Sequence, residues 1–146
     1  MSRPVYTTLA EVKAQLPLDF ITQALDDASS GTIDPALWQA IAENAARQVD
    51  ARLGKRYAVP FDPDNLEAVV AESSLTFVLE TLYLRRGFGT AETNPFLQKA
   101  NEARKELAAI GNGTTPLTPE KVRPRPSVSV VSEPARTTSS AGSLSV

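Results

Sequence analysis

The chain has 146 residues, of which 42% are hydrophobic and 22% charged, a composition that fits one soluble domain. It contains neither His nor Cys, which excludes hydrolases with a histidine base, usual zinc sites, iron–sulfur sites and disulfide frameworks. The formal net charge of −2 divides into −4 for residues 1–111 (11 basic, 15 acidic) and +2 for residues 112–146 (4 basic, 2 acidic), so neither part has the basic surplus of a nucleic-acid-binding surface.

The first two helices are predicted from capping and spacing. Thr8 followed by Glu11 has the spacing of a capping box, and Pro17 ends the segment, so we predict a short helix over residues 9–15. Apolar residues at core spacing predict a second helical piece over residues 18–28, before a Ser-Ser-Gly turn. Its inward residues are Phe20, Ile21, Ala24 and Leu25.

The third helix has clear boundary signals. Asp34 is suited to the N-cap and Pro35 to the first helical position, where its missing amide costs nothing, and Gly54 ends the segment. Apolar residues every four positions form one stripe, and small residues beside Trp38 form a second, so we expect contacts on two sides. The stripes are Leu37, Ile41, Ala45, Val49 and Leu53, and Trp38, Ala42 and Ala46.

The fourth helix is predicted to be buried on nearly all sides. Asp64 and Glu67 again have capping-box spacing, and Arg85 and Arg86 complement the carbonyl end before Gly87. A lone amphipathic helix would not tolerate so broad an apolar surface in water, so we interpret it as the central helix of a bundle or as an interface helix. Its apolar residues are Leu66, Val69, Val70, Leu75, Phe77, Val78, Leu79, Leu82, Tyr83 and Leu84.

The fifth helix is predicted to begin at Asn94 and Pro95, again a cap followed by proline, and to end at Gly111. Its inward residues are Phe96, Leu97, Ala100, Ala103, Leu107 and Ile110, and its wet face carries Lys99, Glu102, Lys105 and Glu106. Together the five segments predict an all-α fold, a small bundle of about four to five helices over residues 1–111.

Neither a signal peptide nor a membrane span is predicted. Residues 1–14 have one basic residue near the start and no apolar run, so we expect synthesis in the cytoplasm. The most apolar stretch, residues 66–84, is interrupted by three glutamates, each costly at membrane depth. We interpret that stretch as a buried helix.

Residues 26–34 are the one stretch that invites a cation. Aligning Gly31 with the sixth position of a calcium loop puts Ala28 third and Leu37 twelfth, so two ligands are missing. We interpret the stretch as a turn between helices and predict no metal and no cofactor.

The acidic residues of the fourth helix are interpreted as ion-pairing groups. Glu72 and Glu80 point in similar directions about 12 Å apart, beyond the ~5–9.5 Å of paired glycosidase carboxylates. We expect them to pair with Arg47, Arg52 or Arg56, or with a neighbouring subunit, and we predict no catalytic residue.

The basic cluster at residues 52–56 lies at a helix C-terminus, where the helix dipole and solvation ordinarily explain cations. Phosphate contact there is the less favoured alternative, and the apolar fourth helix does not suit a helix-turn-helix. Tyr57, which follows the cluster, is interpreted as a core anchor, as are Trp38 and Phe77.

Residues 112–146 are predicted to form an extended arm. They contain five prolines, seven serines and five threonines in 35 positions, a content that does not bury enough apolar surface to fold alone. Residues 127–131 alternate polar and apolar side chains between flanking prolines, as a single short strand would. We predict that this strand adds to the sheet edge of a partner or of a neighbouring copy. The predicted partner-binding residues are Arg123, Arg125, Val128, Val130 and Val131.

Several short motifs, in this order, resemble the Mu-like tailed-bacteriophage neck protein family. They are a Gly-Thr-Ile-Asp turn at residues 31–34, a helix ending Val-Asp-Ala-Arg-Leu-Gly-Lys-Arg-Tyr at residues 49–57, Val-Pro at residues 59–60, and an apolar helix closing Tyr-Leu-Arg-Arg at residues 83–86. The resemblance covers about residues 5–111.

The resemblance implies an all-α connector, or adaptor, at the head-to-tail joint of a virion. It implies a homo-oligomeric ring of about twelve copies under the portal protein, next to a tail terminator or other neck protein, with DNA passing through the channel without specific binding and with no membrane partner. The chain departs from the family in having Ala28 and Ser30 where a more acidic turn is usual, and in its long arm.

Function is therefore interpreted as structural, without catalysis. The first hypothesis is a head-to-tail adaptor that stabilises the packaged head. The alternative is a small helical DNA-associated packaging or regulatory protein, which would lose DNA affinity steeply with salt. A carboxylate-based hydrolase or metal enzyme is the third and least favoured hypothesis.

Overall fold

The computed structural model describes residues 3–117, which form five α-helices and no β-strand. The helices are α1 (Leu9–Gln15), α2 (Leu18–Ala24), α3 (Pro35–Leu53), α4 (Ala68–Arg85) and α5 (Leu97–Gly111). The all-α prediction is therefore confirmed for this part of the chain. The predicted strand at residues 127–131 lies outside the described residues.

Helix α4 is the centre of the bundle. It packs against α3 and α5, which also pack against each other, and α1 and α2 lie against it from the N-terminal side of the chain. Of the two interpretations left open for α4, the structure supports the central helix. Its buried residues are Val70, Ser73, Ser74, Thr76, Phe77, Val78, Leu79, Glu80 and Leu82. Within residues 3–117, none of the five helices combines the length and the apolar character that a membrane span requires.

Two helix starts form as their sequence signals predict. The Thr8 hydroxyl accepts the Glu11 amide while the Glu11 carboxylate accepts the Thr8 amide at 2.7 Å, which completes the capping box of α1. The Asp34 carboxylate accepts the Ala36 amide at 2.9 Å, and Pro35 occupies the first position of α3. Both contacts satisfy amides that the first helical turn leaves without partners.

Helix α2 is shorter than predicted, because its C-terminal groups find partners outside the helix. It ends at Ala24, whose carbonyl accepts the Arg85 guanidinium at 2.7 Å. The Asp26 carboxylate then accepts the amides of Ser30 and Gly31 at 2.8 and 2.7 Å, which folds the following residues into a turn. The predicted end at residue 28 was therefore wrong.

Helix α4 begins four residues later than the predicted capping box at Asp64. The Asp62 carboxylate accepts the Asp64 amide at 3.0 Å, so Asp64 belongs to a turn. Glu67 is the N-cap and makes no side-chain capping bond. The predicted box was wrong because a competing acidic residue stands two positions earlier.

Helix α5 begins two residues later than predicted. The Asn94 side chain accepts the Phe96 amide at 3.0 Å, as an N-cap does, but the residues that follow make a turn, and α5 begins at Leu97. The predicted cap is present and the predicted first residue was wrong.

The three predicted aromatic anchors lie in or against the core. Phe77 is completely buried and Tyr57 is 4% exposed. Trp38 is partly buried against the same core cluster. Helix α3 packs against both α4 and α5, in agreement with the predicted contacts on two sides.

Candidate interaction surfaces

A buried ion pair joins the three helices of the core. Glu80 on α4 is 4% exposed, and its carboxylate accepts two hydrogen bonds from the Arg104 guanidinium of α5, at 2.6 and 3.3 Å. The same guanidinium donates to the Gln48 side chain of α3 at 3.1 Å and lies 4.9 Å from the Phe77 ring centroid. One cation therefore contacts both neighbouring helices, and the carboxylate it pairs with is removed from water.

The partner of Glu80 differs from the prediction. Arg47 reaches Glu43 on its own helix at 3.5 Å, and Arg52 donates to the Gln48 carbonyl at 3.0 Å. Burial, with a smaller contribution from the nearby Arg104, lowers the pKa of Arg52. Arg47 and Arg52 therefore bond to groups on their own helix, and the cation that reaches Glu80 comes from α5.

A second buried carboxylate fixes the N-terminal segment. Asp50 on α3 is 7% exposed and accepts hydrogen bonds from the Tyr6 hydroxyl at 2.8 Å and from Arg3 at 3.1 Å. The Tyr6 hydroxyl also accepts the Phe61 amide at 2.8 Å. Burial raises the pKa of Tyr6, and the neighbouring Asp50 carboxylate acts in the same direction. The residues before α1 and the linker before α4 are thereby attached to α3.

Between α4 and α5 the surface forms an open groove of about 220 Å³. Its apolar walls come from Val69 and Ala103, and the buried Ser73 also lines it. Charged residues also line the groove, namely Glu72, Lys99, Glu102 and Glu106. Glu72 is the other carboxylate predicted to form an ion pair, and it makes none within residues 3–117.

The arm leaves the bundle beside the C-terminal end of α3. A Cβ at Gly111 would overlap the Arg52 carbonyl oxygen and lie 3.0 Å from its carbonyl carbon, so only glycine allows this approach. Gly113 has φ +85° and lies against the Arg56 guanidinium. Leu117 packs against the core. The basic cluster predicted from sequence therefore lies at the start of the arm.

Aromatic rings pack together at the C-terminal end of α4. Tyr83 lies 4.6 Å from Phe20 of α2 and 5.4 Å from Phe96, centroid to centroid. Two large apolar side chains remain exposed in these helices, Leu18 at 57% and Leu84 at 45%.

The stretch that invited a cation is a turn, as predicted. The Asp26 carboxylate is used by backbone amides, and those hydrogen bonds lower its pKa. No group of three or more metal-ligating side chains occurs within the described part of the chain.

The sequence analysis did not identify two residues that make the buried polar contacts, and the five predicted partner-binding residues lie outside the described part of the chain. Asp50 and Arg104 were not singled out, although each lies within one helical turn of buried apolar residues on its own helix. The predicted partner-binding residues lie outside residues 3–117. They are Arg123, Arg125, Val128, Val130 and Val131.

Together these surfaces define a small all-α bundle whose helices are joined by buried polar contacts and whose C-terminal arm begins at a tight contact with α3. The sequence model of the family described as "Bacteriophage Mu, Gp36" matches residues 6–132. The chain belongs to this family and is a Mu-like phage protein. The match extends 15 residues beyond Leu117, further than the resemblance over residues 5–111. No curated protein matches the chain.

Proposed function

We propose that the chain is a structural protein of a tailed-phage virion, a head-to-tail adaptor that stabilises the packaged head and works without catalysis. The observation that carries the proposal is membership of the Mu Gp36 family, whose match includes both the bundle and the arm as far as residue 132. In the proposed role both parts are used, the bundle as a rigid body and the arm as a contact.

The packing of the bundle supports a load-transmitting role. The Glu80 and Arg104 pair connects α4 to α5 and α3, and the Asp50 cluster attaches the N-terminal segment to α3. Buried, fully paired polar contacts favour one arrangement of the helices over its alternatives. A protein that joins two larger assemblies needs such a fixed shape.

The proposed assembly is a homo-oligomeric ring of about twelve copies, placed between the portal protein and a tail terminator or other neck protein. DNA passes through its channel without specific binding. The net charge of −4 for residues 1–111 suits that passage, because an acidic wall repels phosphates.

The arm supplies the proposed contact with a partner. Val128, Val130 and Val131 add as a strand to a sheet edge, where main-chain hydrogen bonds give affinity and valine pockets give specificity. Arg123 and Arg125 reach acidic groups on the partner.

Replacing the three valines with aspartate tests this role of the arm. We expect the triple variant to keep the folded bundle, measured by circular dichroism and Trp38 fluorescence, and to yield heads without attached tails. A variant with threonine at the same positions is the control, since threonine keeps the β-branched shape. Normal tail attachment by the aspartate variant would contradict strand addition.

DNA titration separates the adaptor from a DNA-associated packaging or regulatory protein. An adaptor shows no specific binding to titrate, whereas a phosphate-binding protein loses affinity steeply as salt rises. Specific binding with a steep salt dependence would contradict the adaptor proposal.

A further inference from the structure

The groove between α4 and α5 carries unpaired negative charge. Glu102 and Glu106 lie one helical turn apart on α5, a spacing at which like charges repel, and Glu72 faces them from α4. None of the three carboxylates forms an ion pair within residues 3–117. Lys99 is the one cation among the residues that line the groove, which leaves a net charge of −2 there.

A buried hydroxyl independently indicates that the groove is a binding site. Ser73 lines it, is 4% exposed, and its hydroxyl makes no hydrogen bond with any of the described residues. A buried polar group without a partner costs free energy, and a ligand with a donor or acceptor would remove that cost. Val69 and Ala103 add apolar walls that suit the methylene stem of a long side chain.

The arm has the complementary chemistry. Residues 121–125 carry three cations, Lys121, Arg123 and Arg125, whereas the bundle has a net charge of −4. Five residues separate Leu117 from Arg123, so the chain can carry Arg123 at most about 20 Å from Leu117.

We propose that the α4–α5 groove of one copy binds residues 121–125 of a second copy, with the arginine guanidinium groups donating to Glu102 and Glu106. This inference rests on the proposed ring and names one of its contacts. The groove and the arm are different surfaces of one chain, so the contact is heterologous, and a closed ring fills every groove with a neighbour's arm.

Disulfide trapping tests the contact in the full-length chain, which has no cysteine of its own. The variants Ala103→Cys and Val122→Cys, which keep all the charges, are mixed and oxidised, and the mixed disulfide dimer is measured by intact mass. The matched control replaces Ala103→Cys with Ala40→Cys, an exposed alanine on α3. We expect at least a tenfold excess of dimer over the control, and a smaller excess at high salt.

Charge reversal then tests the chemistry of the contact. Glu102→Lys with Glu106→Lys in the Ala103→Cys chain should abolish the excess. Arg123→Glu with Arg125→Glu in the Val122→Cys chain should restore it. The same charge change at exposed residues Asp19 and Glu92, each replaced with lysine, should leave the excess unchanged.

Two results would overturn the inference. One is a dimer yield equal to the Ala40→Cys control. The other is an internal disulfide in a chain carrying both Ala103→Cys and Val122→Cys without the mixed dimer, which would show that the arm binds its own groove. Imaging of particles made with the Glu102 and Glu106 reversal separates these failures from failure of the proposed function. A ring that still forms at the neck would keep the adaptor role, and would remove only this contact.

Discussion

Removing Arg104 while keeping Glu80 should strongly destabilise the bundle. In Arg104→Met the methionine fills part of the space of the arginine stem, but Glu80 loses both of its hydrogen bonds from the guanidinium. Breaking a buried ion pair by removing one partner costs about 3–5 kcal/mol. Because the Arg104 side chain is 26% exposed, water can reach the remaining carboxylate, and we expect a cost at or just below the bottom of this range, about 2–3 kcal/mol.

Urea unfolding followed by Trp38 fluorescence measures this change. At about 4–8 °C per kcal/mol, the melting temperature should also fall by roughly 10 °C or more. Arg47→Met is the control, because Arg47 forms an exposed pair with Glu43 on the same helix, and such pairs contribute about 0.5 kcal/mol or less.

The double variant Arg104→Met with Glu80→Met completes the cycle. With both charges removed no buried carboxylate is left unpaired, so its free energy of unfolding should return to within about 1 kcal/mol of the original chain. The reasoning would be refuted if Arg104→Met cost no more than Arg47→Met, or if the double variant were less stable than Arg104→Met alone.

Three further changes test other parts of the fold. Gly111→Ala should lower the free energy of unfolding by about 2 kcal/mol or more, because the alanine Cβ would overlap the Arg52 carbonyl. Gly89→Ala is the control in the same urea titration. It should be nearly neutral, because a Cβ at Gly89 would lie 3.7 Å from the nearest atom, in the Leu84 side chain. Thr8→Ala removes the cap of α1 and should cost about 1 kcal/mol; an unchanged urea midpoint would contradict the capping contact. Tyr6 has a raised pKa in the folded chain, so its contribution to stability is present below the unfolded pKa of about 10 and is lost as pH rises above it. The urea midpoint should therefore fall further between neutral and strongly alkaline pH for the original chain than for Tyr6→Phe. Equal falls would show that Tyr6 does not titrate in this way.

The helix order and much of the core could be predicted from sequence because their causes are local. Thr8 and Asp34 bond to amides two or three residues away, so spacing alone shows their role. The predicted capping box at Asp64 was wrong because the Asp62 carboxylate accepts the Asp64 amide, which Glu67 would accept in a capping box. The spacing of acidic residues does not show which of two nearby carboxylates accepts an amide.

The polar contacts inside the bundle could not be predicted because they depend on how helices face one another. Glu80 stood out as an acidic residue on an apolar helix, but the choice of Arg104 is made by the packing of α4 against α5. A usable signal was present, since Arg104 lies four residues after the buried Ala100 and three before the buried Leu107, on the inward half of α5. Asp50 likewise lies among buried residues of α3, next to Val49, but its bonding partners come from the segment before α1 and are distant in sequence.

The groove between α4 and α5 could be predicted only in part from the sequence. Its acidic residues were recognised as the wet face of α5, but their meeting with Glu72 and the buried Ser73 depends on the pairing of two helices. The role of the predicted contact residues of the arm depends on a partner, so the fold of the bundle does not test it.

Cryo-electron microscopy of intact virions would show where in the particle the chain lies. We predict a ring of this helical bundle between portal and tail, with α3, α4 and α5 arranged as described and with the arm of each copy continuing from Gly111 toward another subunit. Virions in which the chain is absent, or in which it lies anywhere other than the head-to-tail joint, would contradict it.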